Sequence, residues 1–376
     1  MFKRIIISFF SLFLLIGSAL AQPAVTAYNE GKKFKTDEKY TNALASFKKA
    51  ISLNPSYKEA LYEAGWCSNE LEKYADAISY LQKAKKLWPN EAKVYLESGY
   101  ANQNMDNRDQ ALADFDKCLS IENDYALAYK YRGNLYYDES DYEKALENYE
   151  SYTRYESDIT SSEFFYKKGY CYNELDKYDD AISSLKKAVE IKSDYVAAFN
   201  ELGYAYMKQE NKDDALKNYN KALDSDPKSY VAMNGIGDVY KDVEKDYDKA
   251  LAAYQRTLKA NPENKKANYQ IGWCYNEKEK YNEAVPYLKK ALLIDNKYVS
   301  ALTELGYSYY ALENYDDALS QFDKALAIRK SELSLYYSGL CYVGKKQKSN
   351  AERMVGELRD MKSDYADKLK KKIEAM

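Results

Sequence analysis

The chain has 376 residues, and its 56 Lys and Arg are balanced by 59 Asp and Glu, which excludes the basic excess typical of nucleic-acid binding. It contains no His, which excludes sites that need imidazole, such as Ser-His nucleophile pairs and His-ligated zinc. Gly and Pro are scarce at 14 and 6 residues, and 46% of the chain is apolar. These totals predict an ordered chain built from helices.

Residues 1–21 have the pattern of a secretory signal peptide. Lys3 and Arg4 form a positive start, residues 5–16 are apolar, and Ala19 and Ala21 fit the small-x-small cleavage rule. We expect cleavage after Ala21 and an exported mature chain, periplasmic or secreted from a Gram-negative type bacterium, without a transmembrane segment. An uncleaved membrane anchor is the alternative, although a spanning helix needs about 20 apolar residues.

A glycine recurs through the rest of the chain at a nearly constant spacing, which in sequence number is 34, 34, 34, 36, 34, 34, 35, 34 and 33. These glycines are Gly31, Gly65, Gly99, Gly133, Gly169, Gly203, Gly237, Gly272, Gly306 and Gly339. An alanine usually follows twelve residues later, and a large apolar or aromatic residue follows four residues after that. Examples of this last residue are Phe47, Leu81, Phe115, Tyr149, Leu185, Tyr219 and Phe322. One repeat has Ala250 thirteen residues after its glycine, and four repeats close with Pro55, Pro89, Pro227 and Pro262.

This pattern of Gly, Ala, Phe and Pro resembles the tetratricopeptide repeat (TPR) family, whose 34-residue unit is a helix–turn–helix. The resemblance implies an all-α fold, a right-handed superhelical α-solenoid, with about ten repeats in residues 22–362. Their expected ranges are 24–57, 58–91, 92–125, 126–159, 162–195, 196–229, 230–264, 265–298, 299–331 and 332–362. Residues 363–376 are predicted to form a C-terminal capping helix, as repeat arrays require, with a basic partner-binding tail as the alternative.

The residue types have physical reasons. Glycine is expected where the two helices of a repeat cross, because close approach leaves no room for a side chain. A proline ends the second helix because it cannot continue the hydrogen-bond ladder. Pro286 is the exception, and we expect it in the first turn of its helix, where proline is tolerated.

A longer period overlies the repeats. Residues 65–70 (GWCSNE), 169–174 (GYCYNE) and 272–277 (GWCYNE) match one another, and the next repeats also match at residues 97–101, 201–205 and 304–308. The offsets between the copies, in sequence number, are 104 and 103. The chain is thus predicted to be a triplicated three-repeat cassette over about 58–161, 162–264 and 265–362. Recent duplication without functional meaning and three equivalent surfaces for multivalent binding both remain open.

The cysteines are predicted to be small buried residues. Four of the five lie two residues after a repeat glycine, so they occupy equivalent sites in different repeats, too far apart for disulfides. They are Cys67, Cys171, Cys274 and Cys341, and Cys118 replaces a late alanine. No C-x-x-C occurs, so we expect no metal site.

Binding is expected on the first helix of each repeat, which lines the concave face in the family that this chain resembles. With the repeat glycine as position 8, positions 2, 5, 9 and 12 share one helical stripe. This stripe is expected to expose Tyr62, Trp66, Asn69, Tyr100, Tyr166, Tyr170, Asn173, Tyr204, Tyr269, Trp273, Asn276 and Tyr307. Aromatic rings and amides suit an extended peptide. Packing between neighbouring repeats is the alternative role of the rings.

One known TPR site can be compared directly. Some TPR domains hold a C-terminal carboxylate with Lys and Asn at positions 5 and 9, and Lys130 and Asn134 match this pair. The following repeats do not continue the pattern, since Lys167, Ala197 and Glu201 stand at its other positions. We keep Lys130 and Asn134 as candidate groove residues without that function.

The sequence therefore favours a non-enzymatic protein–protein interaction scaffold that binds an extended peptide or assembles a cell-envelope complex. The alternative is a glycan or cell-wall binder that uses the same Tyr, Trp and Asn groove. No catalytic residue, cofactor or metal is expected. Glu70, Glu174 and Glu277 recur near the groove, but no nucleophile motif or phosphate loop accompanies them.

Overall fold

The structure is a computed structural model that describes residues 22–376, and the predicted signal peptide lies outside these residues. The described residues form helices and connecting turns, and none of them is in a β-strand. They divide into two compact units. One unit contains residues 22–161 and 170–176, and the other contains residues 162–169 and 177–376.

Four helix pairs make up most of the first unit. They are α1 (22–36), α2 (Tyr40–Leu53), α3 (Lys58–Glu70), α4 (Tyr74–Leu87), α5 (Ala92–Asn104), α6 (Arg108–Ile121), α7 (Ala126–Asp138) and α8 (Tyr142–Tyr155). The next helix, α9 (Ser162–Glu174), has residues in both units.

The second unit continues with α10 (Tyr178–Ile191), α11 (Val196–Lys208), α12 (Lys212–Ser225), α13 (Tyr230–Asp238), α14 (Tyr247–Ala260), α15 (Lys265–Glu277), α16 (Tyr281–Ile294), α17 (Val299–Ala311), α18 (Tyr315–Ile328), α19 (Glu332–Gly344), α20 (Lys348–Asp360) and α21 (Tyr365–Glu374). Within each unit a helix packs on the helices before and after it. The first helix of a repeat, helix A, also contacts helix A of the next repeat, as α3 does with α5 and α15 with α17. The predicted all-α solenoid of helix–turn–helix repeats is confirmed.

The two helices of a repeat cross where the repeat glycine lies. A Cβ on Gly99 would come within 2.5 Å of the Phe115 ring, and one on Gly306 within 2.6 Å of the Phe322 ring. Both rings belong to the second helix, helix B, and both are fully buried. The sequence prediction that glycine permits this approach is confirmed.

The turn from helix A to helix B uses a left-handed residue. In the second repeat Glu72 has a φ of 56°, its N–H donates to the Asn69 carbonyl at 2.9 Å, and the Lys73 N–H donates to the Ser68 carbonyl at 2.8 Å. This Schellman arrangement satisfies the last carbonyls of helix A. None of the left-handed residues among the described ones is glycine, so each carries a steric cost of about 1 kcal/mol.

The seventh repeat accommodates its extra residue by a change of helix type. Its helix A begins as α13 and continues as a π-helix over Val239–Glu244, before a left-handed Lys245. A single inserted residue in a helix is commonly absorbed as such a π turn. The longer spacing of this repeat therefore lengthens helix A and leaves the pairing with α14 intact.

The expectation for Pro286 is wrong. Helix α16 begins at Tyr281, so Pro286 is its sixth residue and lies beyond the first turn. Its ring nitrogen has no hydrogen to donate to the carbonyl four residues earlier. The residue is exposed, so the carbonyl that loses this bond is near solvent.

Helix α21 covers the last repeat. Leu369 and Ile373 are buried against α19 and α20, in a cluster with Leu335, Val355 and Leu358. Tyr365, Leu369 and Ile373 follow one another at intervals of four residues, which places them on one side of the helix. Its remaining residues are mostly charged and exposed.

The glycine crossing can be tested with two alanine substitutions. Gly99→Ala should lower the free energy of unfolding by roughly 1–3 kcal/mol, because the new methyl group meets the buried Phe115 ring. Gly356→Ala in α20 is the matched control, since a Cβ there meets no atom within 4 Å, and it should raise stability by up to about 1 kcal/mol. Urea denaturation followed by circular dichroism measures both, and equal effects would contradict the crossing.

Candidate functional site

The six predicted rings at position 9 are half-buried and lie at the joints between repeats. Each contacts, in a T-shaped geometry, a tyrosine at the start of helix B in the preceding repeat. The centroid distances are 5.5 Å for Tyr40–Trp66, 6.2 Å for Tyr74–Tyr100, 5.8 Å for Tyr142–Tyr170, 6.4 Å for Tyr178–Tyr204, 5.7 Å for Tyr247–Trp273 and 5.9 Å for Tyr281–Tyr307. Such pairs contribute roughly 0.5–1.5 kcal/mol beyond area burial. The rings therefore help hold neighbouring repeats together.

Every third joint lacks this aromatic pair. Arg108 and Asn134 occupy the two places between the third and fourth repeats, and Lys212 and Asp238 occupy them between the sixth and seventh. Between the ninth and tenth repeats Tyr315 remains, but its partner place holds a leucine. The long period of the sequence is thus visible as two joints with this pair followed by one without it, and in two of the latter Tyr100 contacts Tyr131 and Tyr307 contacts Tyr337 instead.

Lysines cover the two tryptophans at position 9. The Lys35 ammonium lies 3.6 Å from the Trp66 ring centroid and also forms a 2.7 Å ion pair with Glu63. The equivalent Lys241 lies 4.8 Å from Trp273. These indoles therefore have a cation on one face.

The position 5 tyrosines occupy the same surface. Tyr166 lies 5.2 Å from Tyr195, and Tyr269 lies 5.1 Å from Tyr298. The Tyr62 ring has the Lys93 ammonium at 5.0 Å. Burial raises the pKa of Tyr62 and Tyr269, so both phenols stay protonated and can donate hydrogen bonds at neutral pH.

The three asparagines are not exposed, so that part of the sequence expectation is wrong. Asn69, Asn173 and Asn276 are 3%, 1% and 3% exposed. The Asn69 amide nitrogen donates to the backbone carbonyl of Glu97 at 3.0 Å and to its carboxylate at 2.8 Å. The amide of Asn276 makes the same two bonds to Glu304. Position 12 is covered because helix A of the next repeat packs over this end of the helix.

Through these bonds Glu97 and Glu304, which are not among the predicted site residues, become part of the site. Burial raises the pKa of Glu97 to about 7, and the hydrogen bond from Asn69 opposes this rise. The pKa of Glu304 is raised for the same reason. The sequence does contain a signal for these glutamates. Each of Asn69, Asn173 and Asn276 is followed, at the same spacing, by a glutamate in the next repeat.

The two Asn–Glu contacts differ at one neighbouring residue. The Ser308 hydroxyl donates to the Asn276 side-chain carbonyl at 2.7 Å. Ala101 stands at the equivalent position beside Asn69, whose side-chain carbonyl is buried without a hydrogen-bond partner. An unsatisfied buried acceptor of this kind typically costs roughly 1–3 kcal/mol.

Lys130 and Asn134 lie on α7. The Asn134 side-chain carbonyl accepts a hydrogen bond from the Tyr149 hydroxyl at 2.9 Å, so it is tied to helix B of its own repeat. The Lys130 ammonium lies 5.9 Å from the Tyr152 ring. Both side chains are half-buried.

Position 2 of helix A carries exposed apolar residues in every third repeat. The exposed fractions are 44% for Val25, 37% for Leu127, 61% for Val231 and 44% for Leu333. These residues belong to the first, fourth, seventh and tenth repeats. The intervening repeats have Glu, Lys, Ala or Ser at this position.

A tyrosine-lined cavity of about 460 Å³ lies in the second unit. Its lining comes from α17, α18, α19 and α21 and includes Tyr307, Tyr310, Tyr315, Tyr336, Tyr337 and Lys372. Burial raises the pKa of Tyr337 to about 12, so its phenol is neutral at ordinary pH.

The cysteines are buried, as the sequence predicted. Burial raises the pKa of the Cys67, Cys118, Cys274 and Cys341 thiols to about 12, so they remain protonated and unreactive. Among residues 22–376 no group of three or more Cys, Asp and Glu side chains is arranged to hold a metal ion. Within the same range, every helix is too short or too polar to cross a membrane.

The difference between Ala101 and Ser308 gives a stability prediction. Ser308→Ala should lower the free energy of unfolding by roughly 1–3 kcal/mol, because it leaves the Asn276 carbonyl without a donor. Ala101→Ser should raise it by roughly 0.5–1.5 kcal/mol by supplying the missing donor to Asn69. Urea denaturation of both variants measures the changes, and shifts in the same direction would argue against this hydrogen bond.

The raised pKa of Glu97 predicts a pH dependence. Because its folded-state pKa of about 7 exceeds its ordinary value of 4.5, its stabilising contribution is complete below pH 4.5 and is lost as the pH rises through 7. The neighbouring charges are Glu63, Glu70 and Lys35. Glu97→Gln removes the ionisation and keeps an acceptor for Asn69. Relative to this variant, the native chain should lose on the order of 2–3 kcal/mol of unfolding free energy between pH 5 and pH 8.

Urea midpoints at several pH values measure this difference, and the comparison of the two proteins cancels the contributions of other carboxylates. Parallel pH curves for the native chain and Glu97→Gln would show that Glu97 has an ordinary pKa.

Family models described as tetratricopeptide repeat or TPR repeat match residues 28–92, 92–125, 169–210, 196–229, 244–299 and 276–341. No curated protein matches the sequence.

Several solved structures are similar to the chain. PilW, described as a widely conserved type IV pilus biogenesis factor, is 19% identical over 55% of this chain and 97% of its own, with a TM-score of 0.50. The C-terminal part of a TPR repeat-containing protein from Cytophaga hutchinsonii is 18% identical over 65% of this chain and 99% of its own, also with a TM-score of 0.50. YrrB, described as a TPR protein with an unusual peptide-binding site, is 24% identical over 50% of this chain and 95% of its own, with a TM-score of 0.47.

These likenesses concern the fold. Together with ten helix pairs in residues 22–360 and the glycine at their crossings, the matching models show that the chain belongs to the tetratricopeptide repeat family.

Proposed function

We propose that this protein is an exported, non-enzymatic interaction scaffold that binds an extended peptide on its helix A surface. The helix A surface is defined in each unit as the exposed side of α1, α3, α5 and the other odd-numbered helices up to α19. The signal-peptide pattern in the sequence of residues 1–21 supports the location, periplasmic or secreted. The TPR fold supports a protein or peptide partner.

The observation that carries the proposal is the exposed apolar residue at position 2. Leu127 in the first unit and Val231 and Leu333 in the second are between 37% and 61% exposed, on the same surface as the half-buried rings. In either unit an extended peptide could bury the exposed side chains of that unit while donating and accepting hydrogen bonds with the neutral phenols. Tyr62 and Tyr269 remain candidate contacts, because their rings are only half-buried.

The asparagines have a structural role beneath the helix A surface. Asn69 and Asn276 bind the next repeat, so we assign them to the support of the surface and not to ligand contact. The tryptophans Trp66 and Trp273 combine both roles, since each packs on a tyrosine and still has partly exposed atoms.

The alternative function is the binding of a glycan or cell-wall polymer. The tyrosine-lined cavity near Tyr336 and Tyr337 favours it, because phenolic rings both stack on sugars and hydrogen-bond to them. The test below separates the two functions.

The test is a cross-linking pull-down of the exported protein from its own cells. The variant Val231→Asp/Leu333→Asp places charges on the exposed apolar residues and should reduce capture of the partner at least about tenfold, because a buried carboxylate is strongly unfavourable. Leu293→Asp is the matched control, since Leu293 is 77% exposed on helix B of the eighth repeat. This control should capture the partner as the native chain does.

Equal capture by all three proteins would place the partner elsewhere and contradict the proposal. Retention on peptidoglycan or polysaccharide, without a captured protein, would favour the glycan function. Trp66 and Trp273 are less suitable targets, because removing either ring also removes a joint between repeats.

A further inference from the structure

Two carboxylates on the helix A surface lack a cationic partner. The Oε2 atoms of Glu97 and Glu304 accept hydrogen bonds from Asn69 and Asn276 at 2.8 Å. Their Oε1 atoms accept no hydrogen bond from the part of the chain that the structure describes, and neither carboxylate forms an ion pair with a residue in that part. Each carboxylate thus has one fixed oxygen and one available oxygen.

The basic residues near Glu97 are already engaged. Lys35 pairs with Glu63 at 2.7 Å and lies over the Trp66 ring, and Lys93 pairs with Glu91 at 3.2 Å. Glu70 adds a further negative charge beside Glu97, and Glu277 does the same beside Glu304. Both places therefore carry an excess of negative charge.

Two tyrosines lie near each carboxylate. Tyr62 and Tyr131 lie close enough to Glu97 that its charge adds to burial in raising the pKa of both phenols. Tyr269 and Tyr337 stand in the same relation to Glu304. Rings attract cations through their faces, and a partly buried carboxylate attracts them through its charge.

The third matching glutamate shows what distinguishes these two. For Glu97 and Glu304, the following repeat supplies one of the two tyrosines, Tyr131 or Tyr337. Glu201 is the equivalent glutamate of the sixth repeat, and the repeat that follows it has Gly235 in place of this tyrosine. Among these three matching positions, the combination of carboxylate, asparagine and two flanking tyrosines is therefore found once in each unit.

The chemistry selects an organic cation. A calcium ion requires six to eight oxygen ligands, and the described residues offer no group of three acidic side chains to supply them. An ammonium or guanidinium group needs a single carboxylate oxygen and gains from the ring faces. It would also favour the ionised form of a carboxylate whose pKa burial has raised.

We propose that Glu97 and Glu304 are two recognition sites for the Lys or Arg side chains of the polypeptide that occupies the helix A surface. This inference rests on the proposed function, because it assigns charge specificity to the same surface. It implies that the protein binds partners with Lys or Arg at these sites in preference to partners without them.

The test selects binding peptides from a random dodecapeptide display library on the immobilised full chain. Peptides that bind should be enriched in Lys or Arg, and the best of them should bind Glu97→Gln/Glu304→Gln about tenfold more weakly than the native chain. Replacing the basic residue of that peptide with norleucine or citrulline should reduce its affinity for the native chain by a similar factor. It should have little effect on affinity for the double variant.

Glu147→Gln is the matched control, since Glu147 is exposed on helix B of the fourth repeat, and it should bind as the native chain does. Thermal unfolding of each variant verifies the fold. Enriched peptides without a basic preference, or with equal affinity for the double variant, would overturn the recognition sites and leave the peptide-binding function standing. If the native chain enriches no peptide at all, the proposed function and this inference both fail.

Discussion

The close approach of the two helices of each repeat, made possible by the glycine at position 8, is the constraint on which the remaining packing depends. The large residue of helix B fills the space that a side chain on helix A would occupy, as Phe115 does over Gly99 and Phe322 over Gly306. This contact fixes how the two helices are turned toward each other. This orientation lets position 9 of helix A contact the preceding repeat and position 12 contact the following one, so the aromatic and Asn–Glu joints follow from the crossing.

The joints are of two kinds, and this division gives the long period a physical meaning. Two successive joints have a T-shaped aromatic pair, and the second of them also has an asparagine bound to a half-buried glutamate, as in Asn69–Glu97 and Asn276–Glu304. The third joint lacks the tyrosine at the start of helix B or its ring partner and has no such asparagine–glutamate bond, although Tyr100 contacts Tyr131 and Tyr307 contacts Tyr337 there. Since the stability of a repeat array is close to a sum of repeat and nearest-neighbour terms, these different contacts make the nearest-neighbour terms unequal along the chain.

The sequence predicted the features that depend on one repeat alone. The crossing glycines, the helix pairs and the buried cysteines recur at one period, and that period reveals them. Features that depend on a neighbouring helix were not accessible in the same way. A helical stripe placed Asn69 on an exposed side, because the stripe describes one helix and not the helix that covers it. Glu97 acquires its environment from Asn69 in the preceding repeat, and the extra residue of the seventh repeat was visible as a length but not as the π-helix of Val239–Glu244.

The arrangement of joints also determines how the gene for such a chain can change its length. Deleting or duplicating one complete three-repeat block keeps the aromatic pairs at the start of helix B and the asparagine–glutamate bonds in the same order along the array. Deleting one repeat would instead set an asparagine such as Asn276 against a repeat that lacks the matching glutamate, and would leave a tyrosine such as Tyr281 without its ring partner. The three-repeat block is therefore the smallest unit whose loss or gain preserves these contacts between repeats.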